Sequence, residues 1–291
     1  MNTKNENLKI AVQKKGRLAE KSLQLLKDIG LEFELNERTL FVKCYNLPIE
    51  IVLVRDDDII ALVNDDFADL GIVGENIILE SSVKVTEMMP LAFGKCRFVL
   101  ALPKESKIKK LADFQNKKIA TSYPKVTKKF FDQRKIKIEI ISFKGGVEVT
   151  PYLNIADGIA DLTSTGSTLK THDLVEFEEI FKSEAKLIVN PKSLQNNQKK
   201  QKILKLKTRI SSLIQAKNTK YIMMNAPVTA ISKIIEIIPG LASPTILPLN
   251  KKNWVAIHSV VPENVFWEVI EKLKNVGATG ILVGPIEKMI L

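Results

Sequence analysis

Cysteine, histidine and aromatic side chains are all scarce in this chain, and each scarcity closes off a kind of chemistry. Two cysteines, Cys44 and Cys96, in 291 residues have no ligand-like spacing, which argues against a disulfide framework and a cysteine zinc site and points to a reducing setting. Of the two histidines, His172 precedes Asp173 in a polar stretch and reads as solvated surface, while His258 alternates within a strand. No Ser–His or Cys–His arrangement emerges, so no protein nucleophile is expected. No apolar run approaches the roughly 20 residues that a membrane-spanning helix needs. The opening MNTKNENLK lacks the apolar core of a secretory signal, so a cytoplasmic location is expected.

What is present is a globular composition, 45% hydrophobic, in a chain long enough for two or three domains and an interdomain cleft. The net charge of +11 is concentrated. Between Pro191 and Lys220 stand Lys192, Lys199, Lys200, Lys202, Lys205, Lys207, Arg209, Lys217 and Lys220, with no acidic residue among them. Ile203, Leu206, Ile210, Leu213 and Ile214 recur there at helical spacing, giving an amphipathic helix with a solvated basic face. The segment has no aromatic residue on which a base could stack, which argues against a nucleic-acid partner.

Strand, turn and helix alternate from the start. Leu8 to Val12 reads as a strand, QKKGR as a turn and Leu18 to Ile29 as a helix closed by Gly30. Ile49 to Val54 is a second apolar strand, followed by RDDD and a helix to about Asn64, and DLGIVG is a third strand ended by Gly74. This βαβ rhythm implies parallel strands whose functional loops lie at their carboxyl ends. Val85 to Leu102 and Phe177 to Val189 are extended enough to cross between lobes. Between them lie strands at 118–122 and 136–141, a helix after Pro124 and another over about Val147 to Asn154. From Asn218 the order βαββαβ is the ferredoxin-like motif.

The segment DGIADLTSTGSTL, Asp157 to Leu169, is the most informative. Its apolar positions form a buried strand that places Asp161 near the carboxyl end, and Thr163 to Thr168 form the turn beyond. A Ser/Thr/Gly loop opening a helix offers backbone N–H groups to a phosphate, and a neighbouring carboxylate suits sugar hydroxyls; a capped turn is the plain alternative. Lys14 and Arg17 around Gly16 suit a pyrophosphate, or form a solvated turn. RDDD is either a self-neutralised helix start or holds Arg55 toward a nucleotide. Glu148 and Tyr123 are weaker single candidates.

Read together, KIAVQKKGRL, VRDDDI, DLGIVGEN, KIATSYP, EVTPYLNIADGIADLTSTGSTL, KYIMMNAP, SPTILPL and GILVGPIEKM resemble the long form of ATP phosphoribosyltransferase, the first enzyme of histidine biosynthesis. The resemblance implies an α/β fold with a bilobal, periplasmic-binding-protein-like catalytic core and a C-terminal ferredoxin-like (ACT-like) α+β regulatory domain. Residues 1–95 and 184–217 would form lobe I, 96–183 an inserted lobe II, and 218–291 the regulatory domain. It implies a pentosyltransferase that moves the 5-phosphoribosyl group of phosphoribosyl pyrophosphate to N1 of ATP, releasing pyrophosphate. Asp161 and Glu148 would take ribose hydroxyls. Ser164, Thr165, Gly166, Ser167 and Thr168 would hold the 5-phosphate, and Lys14, Gly16 and Arg17 the pyrophosphate. Arg55, Asp69, Gly74, Glu75, Arg97 and Tyr123 would line the ATP side. Mg2+ would bind mainly through substrate oxygens, with Asp161 a further candidate ligand. Feedback inhibition by histidine is implied at the small domain, with Ser243 and Thr245 in its site, as is a homo-oligomer in dimer-to-hexamer equilibrium. One departure stands out: Asn154 occupies a place where the family usually has Gly, and Asn is among the few residues that tolerate the left-handed backbone such a turn needs.

Overall fold

The computed structural model describes residues 7–36 and 39–290, apart from the side chain of Val265; the first six residues, part of the opening stretch read above, lie outside it. Two compact units emerge, Met1–Lys202 and Ile203–Leu291.

In the first unit, β1 (Leu8–Gln13) turns into α1 (Arg17–Asp28), which buries Ala19, Ser22, Leu25 and Leu26 at helical spacing. The short β2 (Phe41–Lys43) pairs antiparallel with β3 (Ile49–Val54), and α2 (Asp56–Asn64), β4 (Leu70–Gly74), α3 (Glu75–Glu80) and β5 (Thr86–Pro90) follow. The chain then leaves this sheet. β6 (Cys96–Pro103), β7 (Lys118–Thr121), α4 (Pro124–Gln133), β8 (Glu139–Ser142), β9 (Gly158–Thr163), α5 (Ser167–Thr171) and β10 (Leu174–Ser183) build a second sheet. It returns through β11 (Ala185–Val189), α6 (Pro191–Gln195) and α7 (Asn197–Lys217).

The first sheet has the order β2-β3-β1-β4-β11-β5 and the second β10-β6-β9-β7-β8. Strands β1, β3 and β4 are parallel, and β4 is buried along its whole length, as a strand covered on both faces should be. Ile59, Ile60, Val63, Val73 and Ile77 form the core on one side of the first sheet, while Phe98, Phe114 and Phe131 anchor that of the second.

The helix expected over Val147 to Asn154 is a single 3-10 turn, Val147–Val149. Thr150 spends its N–H and its hydroxyl on the Val147 carbonyl, Pro151 has no N–H to continue a helix, and Asn154 stands in the left-handed region at φ +55°. Asn154 thus adopts the conformation for which its tolerance was invoked.

The second unit carries β12 (Thr219–Pro227), α8 (Ile231–Ile237), β13 (Thr245–Pro248), β14 (Trp254–Pro262), α9 (Phe266–Asn275) and β15 (Thr279–Pro285). Its antiparallel sheet runs β13-β14-β12-β15, the ferredoxin-like order. The division between the compact units falls inside α7, after Lys202. Ile203, Leu206, Ile210, Leu213 and Ala216 are its buried face, and the Met289 N–H bonds the Ser212 carbonyl, which ties this part of the helix to the chain's last segment.

Candidate functional site

Strand direction decides what can meet. The parallel strands β1, β3 and β4 end at Gln13, Val54 and Gly74, so Lys14 to Arg17, Arg55 and Glu75 lie along one edge of the first sheet. In the second sheet Arg97 sits opposite Thr163 and Cys96 opposite Ser183, so the start of β6 and the ends of β9 and β10 share an edge. The two edges are joined by residues 91–95 and by Glu184, because Ala185 pairs directly with Gly74. Between them is a cleft of about 300 Å3, lined from the first sheet by Gln13, Arg17, Asp56 and Asn76 and from the second by Tyr123 and Ser164.

The loop after β9 is held by its own side chains. Thr163 Oγ1 accepts the Gly166 N–H at 2.9 Å, and the Thr165 hydroxyl donates to Ser167 Oγ at 3.0 Å. Part of the amide set expected to face a phosphate is therefore spent on the turn. Gly166 has φ +76°, a conformation that favours glycine, and a Cβ there would lie 3.1 Å from Glu176 Oε1, so the glutamate would have to shift by a few tenths of an ångström. Two residues before the strand ends, burial pushes the Asp161 carboxyl up to about 6; the Leu162 N–H at 2.8 Å opposes this and the Glu148 charge adds to it.

Some cations line hollows and others are bound to carboxylates. Lys14, Lys15 and Arg55 line a second hollow of about 420 Å3 together with Asp56 and Asp58, at the start of α2. Arg97 forks onto Glu176 at 2.7 and 2.8 Å with Glu179 at 3.7 Å, so its charge is already answered by protein. It nevertheless shares a cavity of about 430 Å3 with Glu75, Lys95 and Ser164. Gly74 serves its neighbour, since a Cβ there would come within 2.2 Å of Asn76 Oδ1.

Asp69 is not brought to this site. It precedes β4 and so lies at the opposite edge of the sheet, buried, where it accepts the Lys9 N–H at 2.8 Å, the Ser193 hydroxyl at 2.6 Å and Lys199 at 2.7 Å. It pins the chain after β11, and the expectation that it lines the ATP side is corrected, because it stands at the amino end of β4 and the site loops stand at the carboxyl ends. Conversely, Asn76 lines the cleft and was missed, because a six-residue helix directly after Gly74 leaves no periodic signal. His172 is exposed, and His258 Nδ1 is 2.9 Å from the Tyr221 hydroxyl.

In the second unit Ser243 and Thr245 are exposed beside the turn at Gly240. Beneath that turn the Ser259 hydroxyl is buried without a hydrogen-bond partner among the described residues, and a Cβ on Gly240 would lie 2.9 Å from it. Among the described residues no helix is long and apolar enough to cross a membrane.

Residues 55–212 match the family model described as ATP phosphoribosyltransferase, and residues 216–288 the model for the HisG C-terminal domain. The ATP phosphoribosyltransferase of Phocaeicola vulgatus is 45% identical over 284 residues, covering 98% of this chain and 100% of that protein. The protein of the same name from Azobacteroides pseudotrichonymphae is 46% identical over 285 residues, again covering 98% and 100%. Among solved structures, a chain of the ATP phosphoribosyl transferase (HisG:HisZ) complex from Thermotoga maritima matches with a TM-score of 0.61 and 32% identity, covering 70% of this chain and 98% of its own. With both models matched in order along the chain and relatives aligned nearly end to end, this chain belongs to the ATP phosphoribosyltransferase family.

Proposed function

We propose that the cleft between lobe I, residues 1–95 and 184–217, and lobe II, residues 96–183, is where this pentosyltransferase moves the 5-phosphoribosyl group of phosphoribosyl pyrophosphate to N1 of ATP. The observation that carries this reading is the meeting of Leu162 and Ser164, at the end of β9 and in the loop beyond it, with Gln13 and Arg17 across one cleft. The loop takes the 5-phosphate through Ser164, Thr165, Gly166, Ser167 and Thr168. Asp161 and Glu148 take the ribose hydroxyls. Lys14, Gly16 and Arg17 receive the pyrophosphate, with Arg55, Gly74, Glu75, Arg97 and Tyr123 on the ATP side.

No protein nucleophile is required. N1 bonds to the ribose C1 as the C1–oxygen bond breaks and its electron pair leaves with pyrophosphate. Charge therefore grows negative on the leaving group, which Lys14 and Arg17 would answer, and positive on the sugar, which Asp161 would answer. Mg2+ would be held mainly through substrate oxygens, since among the described residues no group of three or more His, Cys, Asp or Glu side chains forms a site by itself. Asp161 would be the further candidate ligand, and the ion would supply neutralisation of the pyrophosphate oxygens. Formation of phosphoribosyl-ATP, followed by ultraviolet absorbance with both substrates and Mg2+, tests the whole reading; no adduct at saturating substrates overturns it.

The second unit is the histidine site in this reading, residues 218–291 forming the regulatory domain. The unpartnered Ser259 hydroxyl under the turn that leads to Ser243 and Thr245 supports it, since a buried hydroxyl left unsatisfied costs free energy that a polar ligand recovers. A dimer-to-hexamer equilibrium in the cytoplasm completes the proposal, and sedimentation with and without histidine reads it.

A further inference from the structure

Asn76 is buried at the second position of α3, and its hydrogen bonds run to Ser183 on one side and to Tyr123 on the other. Its backbone N–H donates to Ser183 Oγ at 3.1 Å. The serine proton then goes to Asn76 Oδ1 at 3.2 Å, which fixes that atom as the oxygen of the amide. The Cys96 thiol lies beside the same hydroxyl, but sulfur is a weak acceptor beside an amide oxygen. The other end of the amide is therefore its NH2, and it donates to the Tyr123 hydroxyl at 3.0 Å.

An amide nitrogen cannot accept. Tyr123 Oη must accept there, and its own proton has to point elsewhere. The ring is held edge-on against Phe98 at a centroid distance of 5.4 Å, and Tyr123 lines the cleft with Arg17, Asp56 and Ser164. Among the described residues no acceptor takes the phenolic proton. Burial holds the phenol above its ordinary value, against the Asn76 bond and with help from the Asp161 and Asp56 charges, so the proton is present at neutral pH. Asn76 and Ser183 reach Tyr123 from sequence separations of 47 and 60, so the chain of bonds also spans the two sheets.

We infer that Asn76 is a positioning residue for phosphoribosyl transfer: it turns the Tyr123 hydroxyl into an obligate donor aimed at an anionic oxygen of the substrate in the cleft. The inference rests on the placement of Tyr123 in the substrate site, and the experiment separates the two.

Steady-state kinetics are measured on the full chain carrying Y123F, N76D and both, with thermal melts as a folding control. An aspartate in place of Asn76 only accepts, so Tyr123 donates to it and the cleft loses its donor. Y123F is expected to raise KM for one substrate about tenfold or more, the scale of a lost bond to a charged group. N76D should raise KM for that same substrate with kcat nearly unchanged, and the double variant should be no worse than Y123F alone. A wild-type KM in N76D, or two effects that multiply, overturns the inference while leaving Tyr123 in the site. An unchanged Y123F removes Tyr123 from the site and the inference with it. If N76D fails to fold, S183A frees the amide to turn over and should raise the same KM by a smaller factor; an unchanged KM there overturns the inference.

Discussion

At the scale of single residues, Asp161 is where stability and chemistry pull apart. Its folded carboxyl is pushed up to about 6 from an ordinary 3.8, chiefly by burial. The native state therefore holds its proton more tightly than the unfolded chain does. That contribution to stability is complete below pH 3.8 and is lost as pH rises through about 6. Asp161→Asn should consequently melt higher than the parent at pH 7, by up to about 3 kcal/mol, with little difference at pH 4. The same variant should lose most of its turnover, since a neutral amide cannot stabilise positive charge on the sugar. Calorimetry across that pH range together with the absorbance assay checks both halves; full turnover in the variant would remove the ribose role. Asn154 makes a smaller case. Its φ of +55° is tolerated by Asn and indifferent to Gly, so Asn154→Gly should keep activity, whereas Asn154→Ala should cost about 1 kcal/mol in a melt.

At the scale of elements, helix α4 is capped from outside. Tyr123 at its N-cap position supplies no side-chain bond, and instead both carboxylate oxygens of Glu80 accept N–H groups, from Lys125 and Val126, each at 3.0 Å. Glu80 ends α3 on the first sheet's side, so this cap spans the lobes while setting a negative charge on the positive end of the helix. Glu80→Ala should cost about 1 kcal/mol and raise KM for both substrates, read by melt and by kinetics; a change in only one of these would separate capping from cleft geometry. The sequence reading could not find this contact, nor Asn76, because their partners are more than forty positions away and no local period marks them. It did find β1, α1, β3, α2, β4 and β9, whose buried residues repeat at 2.0 or 3.6 or run continuously, and the ferredoxin-like order of the second unit. Where it extended a periodic pattern through Pro151, the structure shows only one turn of 3-10 helix. Where it put Asp69 on the ATP side, three hydrogen-bond donors had already claimed the carboxylate.

At the scale of the molecule, the boundary inside α7 decides where the chain can be cut. A cut after Lys217 keeps Ile203, Leu206, Ile210, Leu213 and Ala216 on a helix whose later part belongs with the second unit, and so leaves an apolar stripe without its cover. A cut after Lys202 removes the stripe yet keeps the anchor of the first unit, because Ser193 and Lys199 still hold Asp69. Residues 1–202 should accordingly give a soluble species with a cooperative melt, while 1–217 should associate. Light scattering on the two fragments distinguishes them, and equal behaviour would refute the boundary. If Ser243, Thr245 and Ser259 form the histidine site, neither fragment should bind histidine in a calorimetric titration and the full chain should. The active fragment would then turn over at the same rate with and without histidine, since both sheets that frame the cleft end before residue 190. Inhibition of the 1–202 fragment by histidine would instead place the regulatory site in the cleft itself.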